Sequence, residues 1–164
     1  MFRRTVAVVL IGTTLGSCSY AYGLLATVED GQLTLVVKPG SDHPASCFRE
    51  VEVVAERGVE AQPQAGDDIS RVASGTFWFE SVNYDDDCAN RFPLRYGSSL
   101  RGRHMGGIVK AKPLRREVVY DVSTTSDATG YGSGRFIVHA NGQIQNLAIK
   151  GSPMDASSLL ENAN

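Results

Sequence analysis

RFIVHANGQIQNLAI, residues 135–149, contains two strand-like runs, Arg135–Ala140 and Gln143–Ile149, on either side of Asn141-Gly142. Asn and Gly both tolerate positive φ, so the pair predicts a two-residue β-hairpin. Upstream, Ile108–Lys112 and Val118–Ser123 read as strands, and Thr124–Gly134 as a long Gly/Ser/Thr loop. Gly75–Tyr84 is the strongest strand. Phe77 and Phe79 face one way there, and Trp78, Val82 and Tyr84 the other. Apolar groups on both faces predict a central strand covered on each side. Asp85-Asp86-Asp87 ends it. Phe92–Tyr96 is a short extended piece that Pro93 confines to an edge or a turn. Cys47–Ala55 and Gln32–Lys38 alternate apolar and polar residues, with a turn at Pro39-Gly40-Ser41-Asp42. Arg57–Ser74 is polar and small, a surface loop with room for one helical turn. No long amphipathic helix and no internal repeat is visible. About seven short strands predict an all-β fold, an antiparallel β-sandwich.

The front of the chain reads differently. Arg3 and Arg4 precede an apolar stretch, Thr5 to Leu15, followed by small residues and a cysteine. Basic, apolar and small segments in that order build an export signal, and the apolar part is too short for a permanent membrane span. Leu15-Gly16-Ser17-Cys18 resembles the bacterial lipoprotein box. That resemblance implies cleavage before Cys18, a diacylglycerol on its thiol and a lipid-anchored mature protein. Ser19 is not the Asp that marks inner-membrane retention in enteric lipoproteins, which points to the outer membrane. A plain secreted protein, cut after Ala21 and carrying one spare thiol, is the competing reading. The expected organisation is a signal peptide over 1–17, a tether over 18–30, a β-sandwich domain over 31–150 and a C-terminal tail over 151–164.

Removing the first 17 of 164 residues leaves 147, enough for one domain with a real core. Setting Arg3 and Arg4 aside from the 16 basic residues leaves 14 against 18 acidic ones, a formal charge of −4. No basic face for nucleic acid is therefore expected. With Cys18 acylated, Cys47 and Cys88 remain, and an oxidising compartment favours pairing them. Such a bridge closes a loop of 41 in sequence separation. Metal binding is the weaker reading, because this spacing without a His pair is not a zinc pattern.

Leu114 precedes Tyr120 by six residues, and Tyr120-Asp121-Val122 continues as a strand. The spacing resembles the tyrosine corner of immunoglobulin- and fibronectin-like sandwiches, where the phenol caps the backbone of the preceding turn. An ordinary strand tyrosine is the alternative. For chemistry there is little. Asp85-Asp86-Asp87 offers clustered oxygens but lacks the Gly and distal Glu of a calcium loop, so it reads as a solvated turn or a contact patch. His43, His104 and His139 have no ligand spacing. Gly130-Tyr131-Gly132-Ser133-Gly134 superficially resembles a phosphate loop but precedes a hairpin rather than a helix, so its glycines read as freedom for a tight turn. No nucleophile elbow or carboxylate pair stands out, so neither an enzyme nor a cofactor is expected.

From Trp78 to Leu147 the chain resembles small bacterial periplasmic lipoproteins of the type VI secretion immunity group. Cys88, Phe92-Pro93-Leu94-Arg95-Tyr96-Gly97, Lys112-Pro113-Leu114, Val119-Tyr120-Asp121-Val122, Thr129 to Phe136 and Asn146-Leu147 carry the likeness. It implies a periplasmic protein, held to the membrane through its lipid, that occludes a cognate protein toxin. Such a role needs a rigid scaffold presenting aromatic and charged contacts. Tyr84, Asp85, Asp86, Asp87 and Tyr131 are the expected partner-binding residues, with the Arg57–Ser74 loop as an alternative surface. A structural envelope lipoprotein of a secretion apparatus, or a ligand-binding module with an aromatic groove at Trp78, are the rival functions.

Overall fold

A computed structural model describes residues 19–56 and 58–149 of the chain. The lipidation candidate Cys18, the signal over 1–17 and the tail over 151–164 lie outside the described residues.

The expected tether is mostly strand. Residues Tyr20–Glu29 form β1, and Gln32–Val37 form β2. Tyr22, Leu24 and Ala26 alternate into the core and are buried, which is why this segment is held rather than free. Asp30 and Gly31 join the two strands with φ of 50° and 74°, and Glu29 pairs with Gln32. This Asp-Gly pair forms a two-residue hairpin turn. The folded body therefore begins near residue 20, not 31.

The remaining strands are β3 (Cys47–Phe48), β4 (Glu50–Ala55), β5 (Thr76–Ser81), β6 (Asn90–Arg91), β7 (Leu94–Arg95), β8 (Val118–Ser126), β9 (Gly130–Val138) and β10 (Ile144–Asn146). One sheet runs β5-β4-β8-β9-β1-β2-β7, with β10 added beside β9 and β3–β6 as a separate pair. The all-β expectation holds. The sheet is mixed rather than purely antiparallel, because β1 runs parallel to β9 from Tyr20 to Gly23.

One expected loop and one expected turn also change. Thr124–Gly134 is not a loop: β8 and β9 pair without a break from Val118↔Val138 to Ser126↔Gly130. Thr124 and Ser126 point inward as hydrogen-bonding groups, and small or hydroxyl residues can line a strand when their polar atoms find partners. The Asn141-Gly142 turn is a longer loop, because Val138 pairs with Ile144 and the His139 N–H donates to the Gln143 carbonyl. Gly142 takes the left-handed position, at φ 85°.

β5 lies at one end of the strand path, not at its centre. All six of its residues are nevertheless buried. The segment expected as the strand Ile108–Lys112 runs along its outer edge instead, with isolated bonds between Phe79 and Val109 and from the Lys112 N–H to the Phe77 carbonyl. A short helix α1 (Ile69–Ala73), capped by the Asp68 carboxylate, covers the outer face. There the Arg71 guanidinium sits 3.5 Å from the Phe79 ring centroid.

The sheet curls until its ends meet. The Tyr96 hydroxyl, just past β7, donates to the Lys112 carbonyl at 2.8 Å beside β5. The Trp78 and Tyr96 rings stand edge to face at 5.2 Å. Inside the curl, Trp78, Tyr120, Phe48, Phe77, Phe136 and Leu35 are fully buried. Each such side chain contributes about 1.5–3 kcal/mol by leaving water.

Candidate functional site

The Cys47–Cys88 disulfide is present and marks one end of the molecule. It joins β3 to a 3₁₀ segment, Tyr84–Ala89, that follows β5. Tyr84 is 55% exposed, and Asp85 is exposed beside it. The Asp86 carboxylate accepts the Arg103 N–H at 2.8 Å, so this part of the acidic run serves the fold. The side chain of Asp87 lies outside the described set.

Tyr131 projects from the outer face of β9 and is 53% exposed. Cross-strand register places Ser81, Glu50, Thr125 and Tyr131 in one row. At ~4.8 Å per strand, Tyr131 stands roughly 14 Å from Ser81. Tyr84 and Tyr131 thus occupy the same end of the sheet without touching. Between them the Arg49 Nε donates to the Asp127 carbonyl at 3.0 Å, and the Glu50 carboxylate accepts from the Thr125 hydroxyl at 3.1 Å. The rim combines two exposed phenols with charges of both signs on a backbone fixed by a disulfide.

The glycines flanking Tyr131 do not make a tight turn. They lie within β9 and face the core. A Cβ at Gly132 would stand 2.4 Å from the Tyr22 ring, and one at Gly130 would stand 2.4 Å from the Tyr20 ring. These positions are empty so that β1 aromatics can lie across the strand. The Tyr22 hydroxyl then reaches Thr124 Oγ1 at 2.8 Å and Ser126 Oγ at 2.7 Å, and Ser126 donates to the Cys47 carbonyl. A buried polar chain therefore runs from β1 through β8 to the backbone of Cys47.

The remaining sequence candidates have structural partners. Tyr120 is fully buried, and its oxygen accepts the Arg115 N–H at 2.7 Å, as the corner spacing predicts. Burial pushes its phenol, and more strongly that of Tyr96, above the usual tyrosine range. Trp78 is fully buried, with its indole N–H directed to Glu80 Oε1 at 3.3 Å, so it cannot line an aromatic groove. His43 packs edge-on to Tyr20, His104 lies 4.0 Å from Glu80, and His139 contacts Gln145 at 2.8 Å. Among the described residues no group of three or more His, Cys, Asp or Glu side chains is placed to hold a metal ion.

Three features escape the sequence reading. Asp67 in the 57–74 loop forms an ion pair with Lys112, both side chains being buried. Burial pushes the Asp67 carboxyl up. The Lys112 ammonium and the N–H groups of Lys110 and Gln64 outweigh it and hold the acid below its ordinary range. Asn146 uses its side-chain amide as a peptide surrogate: Oδ1 accepts the Ala26 N–H at 2.7 Å and Nδ2 donates to the Ala26 carbonyl at 2.9 Å. Finally, residues 88–116 hold eight Lys and Arg and no Asp or Glu. That charge run is a signal present in the sequence for any basic site built there. Comparison with protein-family models, with curated proteins and with solved structures finds no match to this chain.

Proposed function

We propose that this chain is an exported binding protein whose disulfide-pinned rim captures a protein partner, and that the partner is an antibacterial toxin it neutralises by occlusion. The observation that carries the reading is the pair of half-exposed phenols, Tyr84 and Tyr131, at the end held by Cys47–Cys88. Exposed tyrosines on rigid backbone supply large contact area at small entropic cost, the composition of interface hot spots. Asp85 and Glu50 beside them would speed capture of a basic partner, and salt would weaken the effect.

The lipid anchor at Cys18, the periplasmic face of the outer membrane and the immunity role belong to this same proposal. They rest on the lipoprotein-box and family resemblances. So does the finer architecture, in which the two halves of the curled sheet face each other as an immunoglobulin-like sandwich. Its support is the Tyr120 corner and the change of partner along β1, from β9 at Gly23 to β2 at Leu24.

The test is co-purification of the oxidised domain with the product of the adjacent gene, with protection of cells that express that product in the periplasm. Tyr84→Ala and Tyr131→Ala should each weaken the complex by about tenfold or more. No complex and no protection would end the immunity reading. A complex that ignores both tyrosines would move the interface to the 57–74 loop.

A further inference from the structure

A cavity of about 630 Å3 lies between the β3–β6 pair and the loop carrying Ser98 to Arg101. Arg91, Ser99 and Arg101 line it, together with the apolar residues Phe48, Leu94 and Leu100. Both arginines are exposed, and neither guanidinium has a carboxylate partner among the described residues. Of the nearby acidic residues, Asp86 is turned to the Arg103 N–H.

The backbones bearing these arginines are fixed. Arg91 pairs with Cys47 in the β3–β6 ladder, next to the disulfide. Arg101 is held at both backbone groups by one buried side chain: its N–H donates to Asn90 Oδ1 at 2.7 Å, and its carbonyl accepts from Asn90 Nδ2 at 2.9 Å. The Leu100 N–H donates to buried Glu80 at 2.8 Å. Backbone restraints thus hold two arginines, without a carboxylate partner among the described residues, in the lining of one cavity. Among the described residues no side chain pairs with their charge.

We propose that this cavity binds a phosphate monoester. A planar carboxylate is satisfied by one guanidinium fork, whereas two forks and the Ser99 hydroxyl match a dianion with three terminal oxygens. The cavity is larger than phosphate alone, and its apolar wall accommodates the carbon body attached to it. The site is separate from the tyrosine rim and stands whether or not that rim binds a toxin.

The probes are inorganic phosphate, glycerol 3-phosphate and vesicles containing phosphatidic acid, added to the oxidised protein. Amide NMR shifts at residues 90–91 and 98–101 should saturate with glycerol 3-phosphate. The Arg91→Gln/Arg101→Gln protein should bind at least about tenfold more weakly with an otherwise native spectrum, because two charge-assisted donors are gone. Lys110→Gln, outside the cavity, should leave binding unchanged. If the double variant loses its native spectrum, Arg101→Gln alone carries the same comparison. Saturation without vesicle flotation identifies a soluble phosphate ester, and arginine-dependent flotation identifies a lipid one. No response to any of the three probes, or a response that survives both substitutions, overturns the site.

Discussion

Gly132 shows how much a missing Cβ can decide. Its φ is ordinary for a strand, so the residue is needed for space and not for backbone freedom. Gly132→Ala would drive a methyl into the Tyr22 ring and Thr124 Oγ1 and break the hydrogen-bond chain to Ser126. Overpacking of this kind costs about 2–3 kcal/mol, to be read from urea denaturation. Gly142→Ala is the contrast: open space surrounds it, and only its φ of 85° resists, so the cost should stay near 1 kcal/mol. The sequence does not distinguish these two glycines, since both sit among turn-forming residues, and the partner that occupies the space, Tyr22, is 110 positions away. The Asp67–Lys112 pair is hidden for the same reason. Its folded acid titrates below the ordinary value, so its contribution is complete above that value, near pH 3.8. It is lost as pH falls from there through the folded value, because the unfolded chain takes the proton first. Asp67→Asn leaves the Lys112 charge buried and should cost about 3 kcal/mol at neutral pH. The stability difference between wild type and this variant should shrink across that acid window. A difference that stays constant down to pH 2 would refute the assignment.

At the scale of elements, strands with clean alternation were legible and their partners were not. In Gln32–Lys38 and Gly75–Tyr84 apolar side chains mark a face, and β2 and β5 match these stretches closely. β1 is hidden in the sequence because a lipid-anchored Cys18 makes the next residues read as a tether, although Tyr22, Leu24 and Ala26 alternate plainly. The turn chemistry was legible in kind and misplaced in detail. Asp30-Gly31 closes the two-residue hairpin, while Asn141-Gly142 sits in a longer loop. β9 must serve two partners in turn, β1 along its first half and β10 along its second. At the split Ala26 stays in register with Leu35 of β2, while its N–H and carbonyl are met by the Asn146 side-chain amide in place of a strand backbone. Asn146→Ala therefore exposes one backbone donor and one acceptor in a part-buried position, a loss of about 2 kcal/mol. Asn146→Gln should not restore it, since the longer arm places the amide out of register. Hydrogen exchange should show the effect locally, with the Ala26 amide and the β10 amides losing protection before those of β8. Uniform loss of protection across the sheet would mean that Asn146 acts by some other route.

The whole molecule is a curled sheet closed at one side by Tyr96 and Trp78 and at one end by the disulfide. These closures are not equivalent. The Tyr96–Lys112 hydrogen bond and the Trp78–Tyr96 contact lie within a continuous buried cluster that draws on β1, β2, β4, β5, β7, β8 and β9, so they unfold with the core. The disulfide joins the small β3–β6 flap and the 3₁₀ segment, which hold few core side chains of their own apart from Phe48. Replacing Cys47 and Cys88 with serine frees a loop of 41 in sequence separation and should cost about 3–4 kcal/mol if the unfolded chain carries the effect. Because the flap is peripheral, the native sheet should survive, with unchanged shifts in β8 and β9 in an NMR spectrum at low temperature. The 3₁₀ segment should lose order, and with it Tyr84 and the backbone of Arg91. The double serine variant should thus weaken both proposed binding events while leaving Tyr131 where it is. Weakening of the toxin complex without weakening of phosphate binding would show that the rim alone depends on the bridge. An unaltered affinity at both places would mean that the disulfide stabilises the fold without organising either surface.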